Sequence, residues 1–244
     1  MSDTTARLDS LWREPERTED ELEWPALHLR DVFKIYRSGP VETVALRGLE
    51  LRVERSEVVA VLGPSGCGKS TMLALAAALD EPSAGEVRAG GRSLQLLDDA
   101  ELASYRAREI ALVFQSDNVW PTLSARENVA LGLRLAGHEE PTAAAADALA
   151  TFGLRERGSH RAGALSGGEQ QRVAIAAAFA RRAPLVLADE PTGELDARNE
   201  QIVLESLIRL REQRQSTVVL VTHSAEVAAA ADRVVEMRDG TALA

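Results

Sequence analysis

Val58-Val59-Ala60-Val61-Leu62 runs straight into Gly63-Pro64-Ser65-Gly66-Cys67-Gly68-Lys69-Ser70-Thr71, and no other stretch constrains the chain as much. Five consecutive apolar residues are the pattern of a strand buried on both faces. Lys69 to Leu79 suits a helix, so the order is strand, glycine-rich loop, helix. The loop satisfies G-x-x-x-x-G-K-[ST]. Its glycines let the backbone curl until its N–H groups face a chain of phosphates. The helix start adds the positive end of a dipole, and Lys69 brings a mobile charge to the β and γ phosphates. Ser70 offers a hydroxyl to Mg²⁺, and Thr71 is placed toward the α phosphate. A turn that binds nothing has no need of a lysine at that position.

A second apolar strand, Leu185-Val186-Leu187-Ala188, ends in Asp189 and Glu190. In a parallel sheet it delivers Asp189 beside the phosphate loop, to orient a water on Mg²⁺, and sets Glu190 to take a proton from an attacking water. The third element is Leu165-Ser166-Gly167-Gly168-Glu169-Gln170-Gln171-Arg172-Val173, the start of another helix. Ser-Gly-Gly at a helix start forms a second anion site from backbone N–H groups. One nucleoside triphosphate has no use for two such sites within a subunit. Two subunits facing head to tail would use both.

The rest of the chain fits an α/β core. Leu27 to Tyr36 and Val41 to Val53 mix apolar and charged residues as half-exposed antiparallel strands do, and Gly85 to Gly91 reads as a hairpin with its turn. After the strand Ile110 to Phe114 the texture becomes alanine-rich and helical. Ser124 and Glu127 form a capping-box pattern for a helix to about Leu135, and Pro141 opens another to about Phe152. Strands return at Thr217 to Val221 and Val234 to Met237, separated by helices Asp196 to Gln213 and Ser224 to Ala231, which predicts a mainly parallel sheet.

Composition limits the partners. A balance of 28 basic against 38 acidic residues, net −10, argues against nucleic acid. The longest apolar runs, Met72 to Leu79 and Val173 to Ala180, fall far short of the roughly 20 residues that cross a bilayer, so a membrane partner is a separate chain. Met1 to Thr5 has no basic segment leading an apolar one, which predicts no secretory leader and a cytoplasmic location. Residues 1–25 hold eight acids against three arginines and few core formers, so a disordered acidic tail is expected there, with Trp12 and Trp24 as its possible anchors on a partner. The single cysteine excludes an intramolecular disulfide. At a helix start beside Lys69, Cys67 is expected to be a reactive thiol that ATP protects.

With Leu-Ser-Gly-Gly-Glu at 165–169 following the phosphate loop, the chain resembles the ATP-binding-cassette family over roughly residues 27–243. The resemblance implies a phosphate-loop NTPase of the α/β class, with a mainly parallel sheet, an antiparallel β subdomain and an α-helical subdomain inserted at about 116–164 of a domain spanning 26–244. It implies ATP and Mg²⁺ as ligands, bound by residues 63–71, by Ser166, Gly167, Gly168 and Glu169, and by Asp189. At matching positions, Gln115 touches Mg²⁺ and the attacking water, His223 contacts the γ phosphate, Asp196 communicates between two sites, and Tyr36 stacks on adenine. Four further stretches, Thr43 to Gly48, Pro121 to Val129, Ala188 to Gly193 and Ala231 to Gly240, are similar to the group of lipoprotein-release and macrolide-export ATPases (LolD, MacB) and the division ATPase FtsE.

That group implies an ATP-hydrolysing homodimer, peripheral on the inner face of the cell membrane, driving an FtsX/MacB-like permease. The alternative within it is an FtsE-like ATPase that transmits force to a cell-wall hydrolase. The chain departs from the pattern at Ala177, where an arginine is common, and at Glu194, where an asparagine is frequent. Asp117, Asn118 and Trp120 also depart, in the segment that borders the groove for a membrane subunit.

Overall fold

In the computed structural model, which describes residues 24–39 and 41–243, β1 (Leu27–Ser38) and β2 (Val41–Val53) form an antiparallel pair. β3 (Val58–Leu62) leads into α1 (Lys69–Ala76), and β4 (Ala84–Ala89) with β5 (Arg92–Ser93) makes the expected hairpin. Next come α2 (Asp99–Arg108) and β6 (Ile110–Val113), then α3 (Ala125–Leu135), α4 (Pro141–Thr151) and α5 (Gly167–Ala180). The chain closes with β7 (Leu185–Asp189), α6 (Ala197–Arg214), β8 (Thr217–Thr222), α7 (Ala225–Ala228), β9 (Arg233–Arg238) and β10 (Thr241–Leu243). The acidic stretch 1–25 lies outside the described residues except for Trp24 and Pro25. Trp24 packs on its own domain, with Arg88 stacked 4.7 Å from its ring.

Two sheets result. One is four-stranded and antiparallel, in the order β2-β1-β4-β5; the other is six-stranded, in the order β10-β9-β3-β8-β7-β6, parallel throughout except for β10 at its edge. The continuous apolar runs of β3, β7 and β8 are explained by double burial. Val58, Ala60, Val186, Ala188, Val218 and Leu220 face a core shared with α3, α4, α5 and α6. Their neighbours Val59, Val61, Leu185, Leu187, Val219 and Val221 face a second core shared with α1, α2 and the antiparallel sheet.

Helix ends follow local chemistry. α2, α3 and α5 each begin with a complete capping box, from Asp98 and Glu101, Ser124 and Glu127, and Ser166 and Glu169. Such a cap stabilises a helix by about 1 kcal/mol. α1 stops at Ala76, short of the Leu79 expected from composition. Ala78 turns left-handed at φ 52°, and Leu79 N–H closes onto Ala74 O at 2.9 Å, a glycine-type helix stop made with alanine. The helix expected from Ser224 to Ala231 shrinks to one turn, because Ala230 and Ala231 bond three residues back and Asp232 N–H then joins Val58 O to start β9. α2 was not anticipated. It is fixed by Tyr105, a fully buried residue whose hydroxyl donates to Ala76 O at 2.7 Å.

Candidate functional site

The parallel register brings strand ends together. Leu62 of β3 lies opposite Thr222 of β8, and Asp189 of β7 opposite Val221, so Gly63, Glu190 and His223 each follow at one edge of the sheet. Gly63 N–H to Thr222 O and Glu190 N–H to Val221 O, at 3.2 and 3.0 Å, extend the ladder into the loops.

From Gly63 the chain wraps over the start of α1. Gly68 is the residue before the helix, at φ 106°, and a Cβ there would stand 2.6 Å from Ala45 O, so glycine is required twice over. No side chain caps α1, which leaves the first N–H groups of the helix without a local side-chain acceptor. Pro64, Ser65 and Gly66 form the exposed rim. Lys69 is only 6% exposed; its ammonium donates to Gly63 O and Pro64 O at 2.7 and 3.0 Å and stands 3.9 Å from Glu190 Oε1. Thr71 sits half-buried on the first turn.

Cys67 departs from expectation. Its side chain is 5% exposed and belongs to the core beneath α1, with Gly63 close against the sulfur, and its carbonyl accepts from Gly240 N–H. Burial of the thiol opposes the reactivity expected at this helix start and favours the plainer reading of Cys67 as a small residue that fits its place.

Asp189 ends β7 with the Ser70 hydroxyl close to its carboxylate. Burial pushes Asp189 up, the Ser70 hydrogen bond pulls it down, and the neighbouring Glu190 charge adds a further rise, leaving it above the usual carboxylate range. Glu190 occupies the left-handed region at φ 45°, a strained setting for a non-glycine residue. Its Oε2 accepts from His223 Nδ1 at 3.0 Å when that nitrogen carries the proton, and its own carbonyl accepts from Gly193 N–H at 3.1 Å. Gln115 reaches the same turn: a Cβ on Gly193 would meet its Nε2 at 3.1 Å. Lys69, Ser70, Asp189, Glu190, His223 and Gln115 thus converge from positions spread over more than 100 residues.

A second group lies at the start of α5. Ser166 and Gly167 are exposed, Ser166 Oγ accepts from Glu169 N–H at 3.3 Å, and Glu169 Oε2 accepts from Ser166 N–H at 2.9 Å. Burial raises Glu169, but the Ser166 N–H and the Arg157 guanidinium together outweigh it and hold the carboxyl low. Gly168 is buried against α6, where a Cβ would stand 2.7 Å from Asn199 Oδ1. Asn199 is in turn bound to Asp196, which caps α6 through Asn199 N–H at 2.9 Å. Asp196 therefore belongs with the Ser-Gly-Gly turn of its own subunit.

Tyr36 stands apart from both groups in its contacts. Its ring is 42% exposed, its hydroxyl donates to Asp80 Oδ2 at 3.0 Å, and the Lys34 ammonium, itself bound to Asp80, lies 4.9 Å from the ring centre. Sequence reasoning missed Lys34, Asp80, Gln171 and Asn199 as supports. Only Asn199 carried a signal, standing three residues after a capping aspartate.

Over residues 46–193 the sequence matches the family described as ABC transporter. The chain belongs to that family. The cassette is 43% identical over 220 residues to the lipoprotein-releasing system ATP-binding protein LolD of Geobacter metallireducens, covering 89% of this chain and 98% of that one. It is 42% identical to the macrolide export ATP-binding/permease protein MacB of Marinobacter nauticus, of which it spans 34%. Among solved structures, a dimeric ATP-binding cassette in a post-hydrolysis state bound to ADP and Pi superimposes with a TM-score of 0.81 at 38% identity, covering 89% of this chain and 97% of that one. The cassette is an ATP-binding subunit of the LolD/MacB type and an ATPase. Among the described residues no helix is long and apolar enough to cross a membrane.

Proposed function

We propose that two copies of this cassette sandwich two Mg-ATP, each nucleotide held by the Lys69 loop of one copy and by the Ser166-Gly167-Gly168 turn of the other. The observation that carries this reading is the presence of two separate helix-start anion sites in one chain, the second exposed and already capped by its own side chains.

Residues 26–244 form the working domain, with the helical lobe at about 116–164 and the acidic tail ahead of it. In the closed pair, Lys69 exchanges its two loop carbonyls for β and γ phosphate oxygens, a stronger charge-assisted contact. Ser65 to Thr71 wrap the phosphates, and Tyr36 stacks on adenine. The donors suit Mg²⁺, a hard cation that takes few protein ligands besides phosphate oxygens and water. Ser70 and Asp189 lie side by side, and Gln115 offers a further oxygen. Held by Ser70, Asp189 and Gln115, Mg²⁺ would supply positive charge against the phosphate being transferred. Glu190, oriented by its strained backbone and by His223, takes the proton of the attacking water. Loss of the γ phosphate then releases the partner's turn. The motion is delivered to a separate permease of the FtsX/MacB type, with the cassette peripheral on the cytoplasmic face.

Glu190→Gln keeps the side-chain shape and removes the base. Sedimentation of this variant in Mg-ATP is expected to give a stable dimer with turnover lowered by roughly 10²–10⁴-fold. Near-normal hydrolysis rejects Glu190 as the base, and a protein that stays monomeric in ATP rejects the sandwich.

A further inference from the structure

Gln171, on the second turn of α5, is a polar residue in an apolar interior, only 3% exposed. Its amide bridges elements more than 50 residues apart. Nε2 donates to Phe114 O at 2.8 Å and to Gln115 O at 2.7 Å, and Oε1 accepts from Asn118 Nδ2 at 2.8 Å. Asn118 closes the loop on itself, accepting from Phe114 N–H and donating to Phe114 O, both at 2.7 Å. Both donors of Gln171 and one acceptor position are therefore spent on the base of the Gln115 loop. A methionine fills the same volume and makes none of these bonds.

We propose that Gln171 is a positioning residue that ties the Gln115 loop of one ATP site to the Ser166-Gly167-Gly168 turn serving the other. Five residues of helix separate Ser166 from Gln171, roughly 7–8 Å of rigid rod. A displacement of the Gln115 carbonyl cannot be absorbed by a side chain whose amide is fully engaged and enclosed, so the start of α5 moves with it. Gln115 side-chain atoms sit against Gly193 beside Glu190, and Gly168 packs on Asn199. The rod therefore begins where one γ phosphate would be sensed and ends where the partner's nucleotide would be gripped. The relay rests on the two-copy reading above and adds a residue that makes one site's occupancy felt at the other.

Gln171→Met in the full-length chain separates relay from scaffold. Single-site affinity for a fluorescent ATP analogue, measured at a concentration where the protein is monomeric, is expected to stay within about twofold of wild type, and the melting temperature to fall by only a few degrees as two loop carbonyls lose their donor. The Hill coefficient for ATP hydrolysis is expected to fall from about 2 toward 1, with kcat down roughly tenfold. A variant as cooperative as wild type overturns the relay, and so does a loss fully accounted for by a lower melting temperature or weaker single-site binding. If Gln171→Met fails to fold, Asn118→Ala decides, since it removes one partner from the loop side; unchanged cooperativity there overturns the relay. A non-cooperative wild type whose Glu190→Gln form stays monomeric overturns the two-copy reading itself, and the relay with it. A cooperative wild type confines any failure to Gln171.

Discussion

Two helix starts in this cassette are built for anions, and they are built differently. α1 begins at a left-handed glycine with no side-chain cap, and its lysine is folded onto loop carbonyls. α5 begins at a serine whose hydroxyl and glutamate partner already satisfy the turn. The first leaves its polar groups to a ligand, which fits the grip on a triphosphate proposed for it. The second has its Ser166 and Glu169 N–H groups satisfied by its own side chains, so in the proposed sandwich it would meet a nucleotide already shaped. In the proposed sandwich, one site binds and the other recognises that binding has occurred.

Removing the cation breaks the comparison most severely. Lys69→Ala is expected to lower kcat/KM for ATP by at least about 10²–10³-fold, read by steady-state phosphate release, because among the described residues no other ammonium reaches those carbonyls. Gly168→Ala strikes the other start. Its methyl meets Asn199 Oδ1 at 2.7 Å and displaces the turn, so hydrolysis is expected to fall roughly 10–100-fold while single-site ATP affinity stays unchanged by equilibrium titration. An equal loss of affinity in both variants would erase the distinction between binder and recogniser.

Acid–base behaviour separates the two starts with opposite sign. Asp189 is raised, mainly by burial, so its ionisation opposes folding: that protonated-state stability is complete below the ordinary value of 3.8 and is lost as pH climbs through the higher folded value. Asp189→Asn is therefore expected to raise the melting temperature by a few degrees at pH 7 without Mg²⁺, with the gain vanishing near pH 3.8, while hydrolysis is lost. Glu169 is lowered, so its contribution is present above the ordinary value of 4.5 and disappears as pH falls through the folded one. Glu169→Gln keeps the cap and removes the charge. Partial exposure screens the effect, and the expected cost at pH 7 is about 0.5 kcal/mol, measured by urea denaturation.

Much of this layout was readable from the chain. The apolar run at 58–62 and the glycines after it dictate strand, loop and helix, and Ser124 with Glu127 marks a helix start because both halves of the box are local. Signals of that kind travel only a few residues. α2 went unread although Asp98 and Glu101 carry the same box, because its exposed, charged turns lack an apolar stripe. The burial of Cys67 was hidden for another reason: what covers it is the region of Met237 and Gly240, some 170 residues away, brought near only by β9 lying beside β3. Gln171 had no local signature, since its partners are carbonyls of a distant loop.

The core behind the sheet has a consequence for how the molecule comes apart. Val58 and Ala60 of the central strand share one apolar interior with Val129 and Leu133 of α3 and with Leu149 of α4. The helical lobe thus has no separate interior to melt on its own. Calorimetry of the full chain is expected to show lobe and sheet absorbing heat in one transition. Slow amide exchange in α3 and α4 should report the same global opening as β3, so the lobe is, for stability, inseparable from the sheet.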